Sequence, residues 1–358
     1  GAFGEVRIVR NKNDNVVYAM KTMRKKDMIA KNQVAHVKAE RDLMANASNT
    51  SSFLVKLHFS FQDDVYLYLV MEYCPGGDLM KILMQYETLD DKDTGFYVSE
   101  IASVINYLHT KGYVHRDIKP DNVLIDKSGH IKLCDFGSAA YYQPQDCDND
   151  VVPRKSRKNK KLLYRIVGTP DYVAPEVLSK KGYGFECDWW GLGVIMFECL
   201  CGYPPFYAGS PKQTCRNILN YSRTLHIPND ADVSTNAKDC ILKLLCSWQS
   251  RMNFERLSKH SFFRKIKWNQ LQSVRPPHSF YEDDEDNENG VGVLFGIGED
   301  DDCEYPLHYT ASGGAMGVNS PAANPNGAPS LQRRTSKHSR NHFKGFTFDN
   351  NNDITKDI

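Results

Sequence analysis

His115-Arg116-Asp117-Ile118-Lys119-Pro120-Asp121-Asn122 is the stretch on which the reading of this chain turns. It places an aspartate, a lysine and an asparagine close together around a rigid proline. Downstream follow Asp135-Phe136-Gly137 and Ala174-Pro175-Glu176. Upstream lie a Gly1-Ala2-Phe3-Gly4 loop and an Ala19-Met20-Lys21 segment. Phosphoryl transfer asks little else of a protein: one group to orient the attacking hydroxyl, one or two to hold a divalent cation, and one to steady the phosphates. Each triplet alone is weak evidence, since Asp and Asn form turns everywhere. Turn formation explains one such residue, not four in register.

The 358 residues are too many for one small domain and suit two lobes plus a tail. A hydrophobic share of 41% and a charged share of 25% are ordinary for a globular chain. A net charge of +1 gives no argument for a nucleic-acid partner. Ten cysteines without a Cys-x-x-Cys pair read as reduced thiols of a cytoplasmic protein, with a nuclear location also open, rather than as a zinc site. No apolar run approaches the roughly 18 residues of a membrane span. The chain opens at Gly1 inside a motif, so a preceding segment is expected.

Residues 1–75 read as strands plus one helix. Val16 to Lys21 and Tyr66 to Met71 are β-rich, and Val34 to Met44 has helical spacing, with Val37 and Met44 flanking Glu40. Pro75-Gly76-Gly77 breaks the chain as a hinge would. Residues 76–268 turn helical: Ile101, Val104, Ile105 and Leu108 mark one buried face. Trp189 to Leu200 is apolar nearly all round, and Asp239 to Leu245 predicts a further helix. Globular character is expected to end near Trp268. Residues 139–163 carry the basic run Arg154-Lys155-Ser156-Arg157-Lys158-Asn159-Lys160-Lys161. Residues 269–358 form a tail, acidic at 282–304 and rich in Gly, Ala, Asn, Pro and Ser at 310–330, a composition of disorder.

The chemistry assigns roles. Gly1 and Gly4 let backbone amides approach phosphates without a Cβ in the way. Lys21 reaches the α- and β-phosphates of ATP with Glu40 as its ion-pair partner. A solvated edge-strand lysine is the blander reading. Asp117 accepts the substrate hydroxyl's proton or orients it, Lys119 steadies the transferring phosphate, and Asn122 and Asp135 offer hard oxygen ligands to Mg2+.

With these motifs in place, residues 1–268 resemble a eukaryotic protein kinase domain of the AGC class, and more closely the NDR/LATS family. Asp188-Trp189-Trp190-Gly191-Leu192-Gly193, Gly202-Tyr203-Pro204-Pro205-Phe206, Cys246-Ser247-Trp248-Gln249-Ser250-Arg251 and Gly168-Thr169-Pro170-Asp171-Tyr172 carry the likeness. Phe343-Lys344-Gly345-Phe346-Thr347-Phe348 matches the AGC hydrophobic motif. The resemblance implies an α+β, two-lobed kinase fold: a β-rich N-lobe whose first strand is missing, so that a sheet edge lies open, and a helical C-lobe. It implies a nucleotide site of Gly1, Gly4, Val6, Ala19, Lys21, Met71, Glu72, Cys74, Asp78 and Leu124, with Met71 as gatekeeper. Met44, Leu57, His115 and Phe136 would stack as a spine, and Glu176 would pair with Arg251. Thr169 would bond Asp117 and Lys119 and make the enzyme Ser/Thr-directed.

The same likeness implies protein substrates with basic residues before the Ser/Thr, read by Asp78, Asp121 and Glu198, with a His-x-Arg-x-x-Ser/Thr preference. It implies an upstream kinase acting on Thr347, docking of Phe343, Phe346 and Phe348 beside the Glu40 helix, and a MOB-type coactivator bound ahead of the domain. In this family the basic insert is autoinhibitory; a nuclear-import patch or a solvated loop are the blander readings. One departure matters: Arg165 stands where the family places a phosphorylatable Ser or Thr, so Arg116 would face a like charge and Ser156 is the remaining candidate. A pseudokinase scaffold is the competing class, yet none of Lys21, Asp117 and Asp135 is lost. A Rho-effector AGC kinase is the third, and the tail lacks heptads. Arg333-Arg334-Thr335-Ser336 reads as a basophilic kinase site. The Gly290–Gly296 run and the faint calcium-loop pattern from Glu285 are set aside as decoys.

Overall fold

A computed structural model describes residues 4–47, 51–142, 170–179, 183–228, 231–278, 306–307 and 342–349. Gly1, Arg165, Thr169, Ser156, the run at 154–161, the acidic tail, both decoys and the Arg333 site lie outside them.

The N-terminal part is an antiparallel sheet crossed by helices. Strands β1 (Glu5–Arg10) and β2 (Val17–Arg24) lead into helices α1 (Lys25–Ala30) and α2 (Val34–Ala47), then strands β3 (Leu57–Gln62) and β4 (Tyr66–Glu72). On β2, Tyr18 and Met23 lie on opposite faces and both are buried, so packing covers parts of both sides of the sheet, while Arg24 at the strand's end is exposed.

Past the hinge the chain becomes mainly helical. Helix α3 (Leu79–Tyr86) starts at Asp78, whose Oδ1 accepts from Lys81 N at 2.9 Å, and α4 (Asp91–Thr110) starts at Asp90, capping Asp93 N at 2.7 Å. Short strands β5 (Tyr113–Val114), β6 (Val123–Ile125), β7 (Ile131–Leu133) and β8 (Ala140–Tyr141) pair as β5 with β8 and β6 with β7. Helices α5 (Pro175–Leu178), α6 (Glu186–Cys201), α7 (Pro211–Leu219), α8 (Tyr221–Thr224), α9 (Thr235–Leu244) and α10 (Phe254–Ser258) complete this part. As its composition predicts, α6 is buried from Cys187 to Leu200. Gly191 is needed there, because a Cβ would lie 2.8 Å from Ile118 O and push the loop that holds Asp117 off the helix.

Two departures concern the tail. Packing continues past Trp268 to His278, whose Nδ1 lies 3.0 Å from the Tyr97 hydroxyl and whose ring stands 4.3 Å from Tyr86. The expected open edge at β1 is paired instead: backbone β9 (Pro306–Leu307) lies antiparallel to it, Val6 opposite Leu307. At the other edge β10 (Phe348–Asp349) pairs with β3, giving the order β10-β3-β4-β2-β1-β9. No helix among the described residues is long and apolar enough to cross a membrane.

Candidate active site

The sheet sets one wall of the cleft by register. Val6 lies opposite Lys21, and Ala19 opposite Met71. Cross-strand partners share a face, and so do residues two apart on one strand. Val6, Ala19, Lys21 and Met71 therefore point the same way. Gly4 precedes them where a Cβ would meet Thr22 O at 2.5 Å. The opposite wall comes from β6, tied to the hinge by Gly76 N donating to Ile125 O at 3.1 Å and Ile125 N to Gly77 O at 2.9 Å, with Asp78 bridged to Leu124. Glu72 and Cys74 lie between the walls. Glu72 Oε1 accepts from Lys56 N at 2.6 Å and Oε2 pairs with Lys132 at 3.1 Å, fixing the hinge strand.

Lys21 joins the two walls. Its Nζ lies 2.7 Å from Glu40 Oε1 on α2 and 3.2 Å from Asp135 Oδ1. Burial works against the Lys21 charge, but Asp135 and Glu40 outweigh it and raise the pKa, so the amine stays protonated. The Lys21 charge in turn holds Asp135 down at about 2 against the effect of burial. Asp135 adopts φ +57°, in the left-handed region that L residues avoid, and Arg116 does so at φ +71°. Two strained residues within the catalytic segments mark a conformation held by its surroundings.

Asp117 is fixed from two sides. Asn122 Nδ2 donates to Asp117 O at 2.8 Å and to Oδ2 at 2.9 Å, and Lys119 Nζ lies 3.1 Å from the same Oδ2. Behind the loop, Asp188 is wholly buried and accepts from His115 N and Arg116 N at 2.8 Å each, with His109 Nε2 also 2.8 Å away. Burial would raise its pKa, yet the His109 bond, the charges of His109 and His115 and the Arg116 N–H bond bring it below the usual carboxylate range. Nothing local in the sequence gives Asp188 this role, because its partners lie in a distant segment. Arg116 donates to the carbonyls of Ser138 and Ala139 and, at 3.3 Å, to the Tyr183 hydroxyl. Its guanidinium is thus held by the segment that follows Asp135.

The spine residues Met44, Leu57, His115 and Phe136 are all buried, with the His115 and Phe136 rings edge-to-face at 5.2 Å. Arg251 forks onto Glu176 at 2.5 and 3.1 Å.

The tail motif sits against α2 and the sheet. Phe343 and Phe346 are completely buried and Phe348 partly so, while Thr347 is exposed. Ser60 Oγ donates to Phe346 O at 2.5 Å and Gln62 Nε2 to Phe343 O at 3.0 Å. Arg41, beside Glu40 on α2, lies 5.7 Å from the Phe346 ring, and Lys25 lies 5.7 Å from Phe343. The tail is thus an added strand with two aromatic anchors. Phe346→Ala should cost about 3–5 kcal/mol of that docking. Hydrogen exchange at β10 and α2 should then speed up together; unchanged exchange in α2 would mean that the tail does not brace Glu40.

Comparison with known proteins matches residues 1–263 to the protein kinase domain. The chain is 44% identical over 318 residues to the serine/threonine-protein kinase CBK1 of Yarrowia lipolytica, covering 77% of this chain and 54% of that protein. It is 44% identical over 300 residues to the serine/threonine-protein kinase tricornered of Drosophila pseudoobscura pseudoobscura, covering 76% and 65%. It is 41% identical over 312 residues to the serine/threonine-protein kinase cot-1 of Neurospora crassa, covering 77% and 52%. The chain belongs to the protein kinase family, in the AGC class and of the NDR/LATS type these relatives represent. It spans about half the length of the curated relatives it matches, from 54% and 61% down to 43% for the first three.

Proposed function

We propose that the chain transfers the γ-phosphate of ATP to serine or threonine of proteins with basic residues before the acceptor. The observation that supports this most directly is Lys21, held between Glu40 and Asp135 over the same cleft in which Asn122 and Lys119 fix Asp117. Lys21, Asp117 and Asp135 stand together, so nothing in the described residues favours a silent scaffold. Membership of the kinase family implies ATP.

The residues fit a hard divalent cation such as Mg2+. The amide nitrogen of Asn122 is spent on Asp117, which leaves Oδ1 as a donor, and Asp135 stays ionised far below neutral pH. When bound, the cation offsets charge on the phosphates. The protein's own part is positional. Asp117 Oδ1, the oxygen not engaged by Asn122 and Lys119, accepts the substrate hydroxyl's hydrogen and takes its proton. Lys119 Nζ approaches the transferring group, while Lys21 anchors the remaining phosphates. The backbones of Glu72 and Cys74 bond the adenine edge. A substrate arginine meets Asp78, Asp121 and Glu198, with His-x-Arg-x-x-Ser/Thr as the preferred pattern.

Regulation follows the tail. Phosphorylation of Thr347 by an upstream kinase adds roughly −1.5 to −2 charge at an exposed position between Phe346 and Phe348. A MOB-type coactivator acts ahead of the domain. The basic insert inhibits: neutralising Lys155, Arg157, Lys158 and Lys160 together should raise basal transfer about 5-fold or more. Unchanged basal activity would remove the inhibitory role. The function itself is tested by transfer from ATP and magnesium to a His-x-Arg-x-x-Ser peptide, described at the end of the Discussion.

A further inference from the structure

The segment that follows Asp135 is laced to its neighbours residue by residue. His36 Nδ1 on α2 lies 3.4 Å from Gly137 O. Arg116 Nε donates to Ser138 O, and Arg116 Nη2 to Ala139 O at 3.5 Å. Ala139 N donates to Phe136 O at 2.9 Å, β8 then pairs with β5, and Tyr142 N donates to Gly112 O at 2.6 Å. A further contact of Arg116 reaches a separate part of the chain, where Nη1 donates to the Tyr183 hydroxyl at 3.3 Å. Tyr183 is itself packed against the core. Two residues on, at the entry to α6, the Phe185 ring stands 4.7 Å from His109 of α4 and 5.1 Å from Tyr142. Each guanidinium nitrogen of Arg116 thus has a protein acceptor, and one acceptor stands on the fixed lead-in to α6.

Kinase activation segments are commonly ordered when an added phosphate draws in an arginine. We propose that here the Tyr183 hydroxyl and the Ser138 and Ala139 carbonyls take the place of that phosphate on Arg116, which makes Tyr183 a positioning residue for Asp117. This rests on the kinase reading above and adds to it a residue and a mode of activation. Arg116 sits at φ +71°, a strained conformation that persists only where its surroundings hold it. Its backbone is held by Asp188, which accepts from Arg116 N at 2.8 Å, and its side chain by the three acceptors. Asp117 is the next residue, so whatever fixes Arg116 also fixes the backbone from which the Asp117 carboxylate projects. Arginine keeps its charge at every working pH, and its planar fork can serve three acceptors at once. The sequence agrees. Ser156, Tyr164 and Thr169 are the only hydroxyl side chains in residues 143–169, and Ser156 lies inside the basic run.

The test measures kcat and KM, for ATP and for a His-x-Arg-x-x-Ser peptide, in variants of the full chain. Active enzyme is counted by ATP binding, so unfolded protein drops out. Ser156→Ala combined with Tyr164→Phe should keep the wild-type kcat. Tyr183→Phe should lower kcat about three- to tenfold and leave the KM for ATP unchanged. In an Arg116→Met background Tyr183→Phe should cost nothing more, because the hydroxyl acts only through the guanidinium. Arg116→Lys serves as that background where Arg116→Met does not fold, since one ammonium cannot span all three acceptors. Loss of kcat in the Ser156, Tyr164 variant would show that a loop phosphate is required and overturn the proposal. So would a Tyr183→Phe enzyme with the wild-type kcat, or one whose loss persists undiminished in the Arg116 background, the mark of packing alone. A wild-type chain without transfer above an Asp117→Ala blank would overturn the kinase reading and this proposal with it.

Discussion

Lys21→Met is expected to lower kcat by about 100- to 1000-fold, the loss typical of removing one preorganised charge from an active site. The structure says why the effect should exceed the loss of a phosphate contact. Lys21 is the common partner of Glu40 and Asp135, at 2.7 and 3.2 Å. Without it two carboxylates, Glu40 buried and Asp135 half-exposed, would face each other unpaired. Asp135, held at about 2 by Lys21, would then rise. A raised Asp135 is a poorer ligand for a cation as pH falls, so the variant's residual activity should drop in mild acid more than that of the wild type. Steady-state kinetics in Mg2+ and ATP, taken from neutral to mildly acidic pH, measure both features. A variant with a higher KM for ATP but an unchanged kcat would show that Lys21 only binds nucleotide.

Arg251→Ala should destabilise the helical part by about 3–5 kcal/mol, the cost of leaving a buried ion without its partner. Arg251 donates to both Glu176 oxygens, to Glu186 O at 2.8 Å and to Cys246 O at 2.9 Å, and its guanidinium lies 4.9 Å from the Trp190 ring. Removing it strands the Glu176 carboxylate and two carbonyls at once. Urea unfolding followed by tryptophan fluorescence reports the loss, since Trp189 and Trp190 lie in α6. The double variant Arg251→Met, Glu176→Met should recover part of it, because no charge is then left buried and unpaired. If the double variant is as unstable as the sum of the singles, the pair is not coupled as drawn.

The gathering of Lys21, Asp117, Asn122 and Asp135 at one cleft was legible because these residues sit in short contiguous motifs. Once Asp117 and Asn122 share one loop, their contact needs no long-range information. The helices were legible for a related reason: the spacing of Ile101, Val104, Ile105 and Leu108 and the all-apolar α6 speak locally. What stayed hidden are contacts between segments far apart in the chain. Asp188 binds the catalytic loop from 73 residues away, through His115 N. Ser60 and Gln62 hold the tail from 286 and 281 residues away; the motif at 343–348 announces that the tail docks, but nothing in it names these partners on β3. The run of packing from Trp268 to His278 depends on aromatic partners in α3 and α4 that composition does not reveal.

Phosphate transfer from ATP and magnesium to a His-x-Arg-x-x-Ser peptide, with Asp117→Ala as the blank, tests the central claim most directly. The account predicts transfer to the serine above the blank, increased by Thr347→Glu. A folded protein that binds ATP yet transfers nothing above the blank would contradict it.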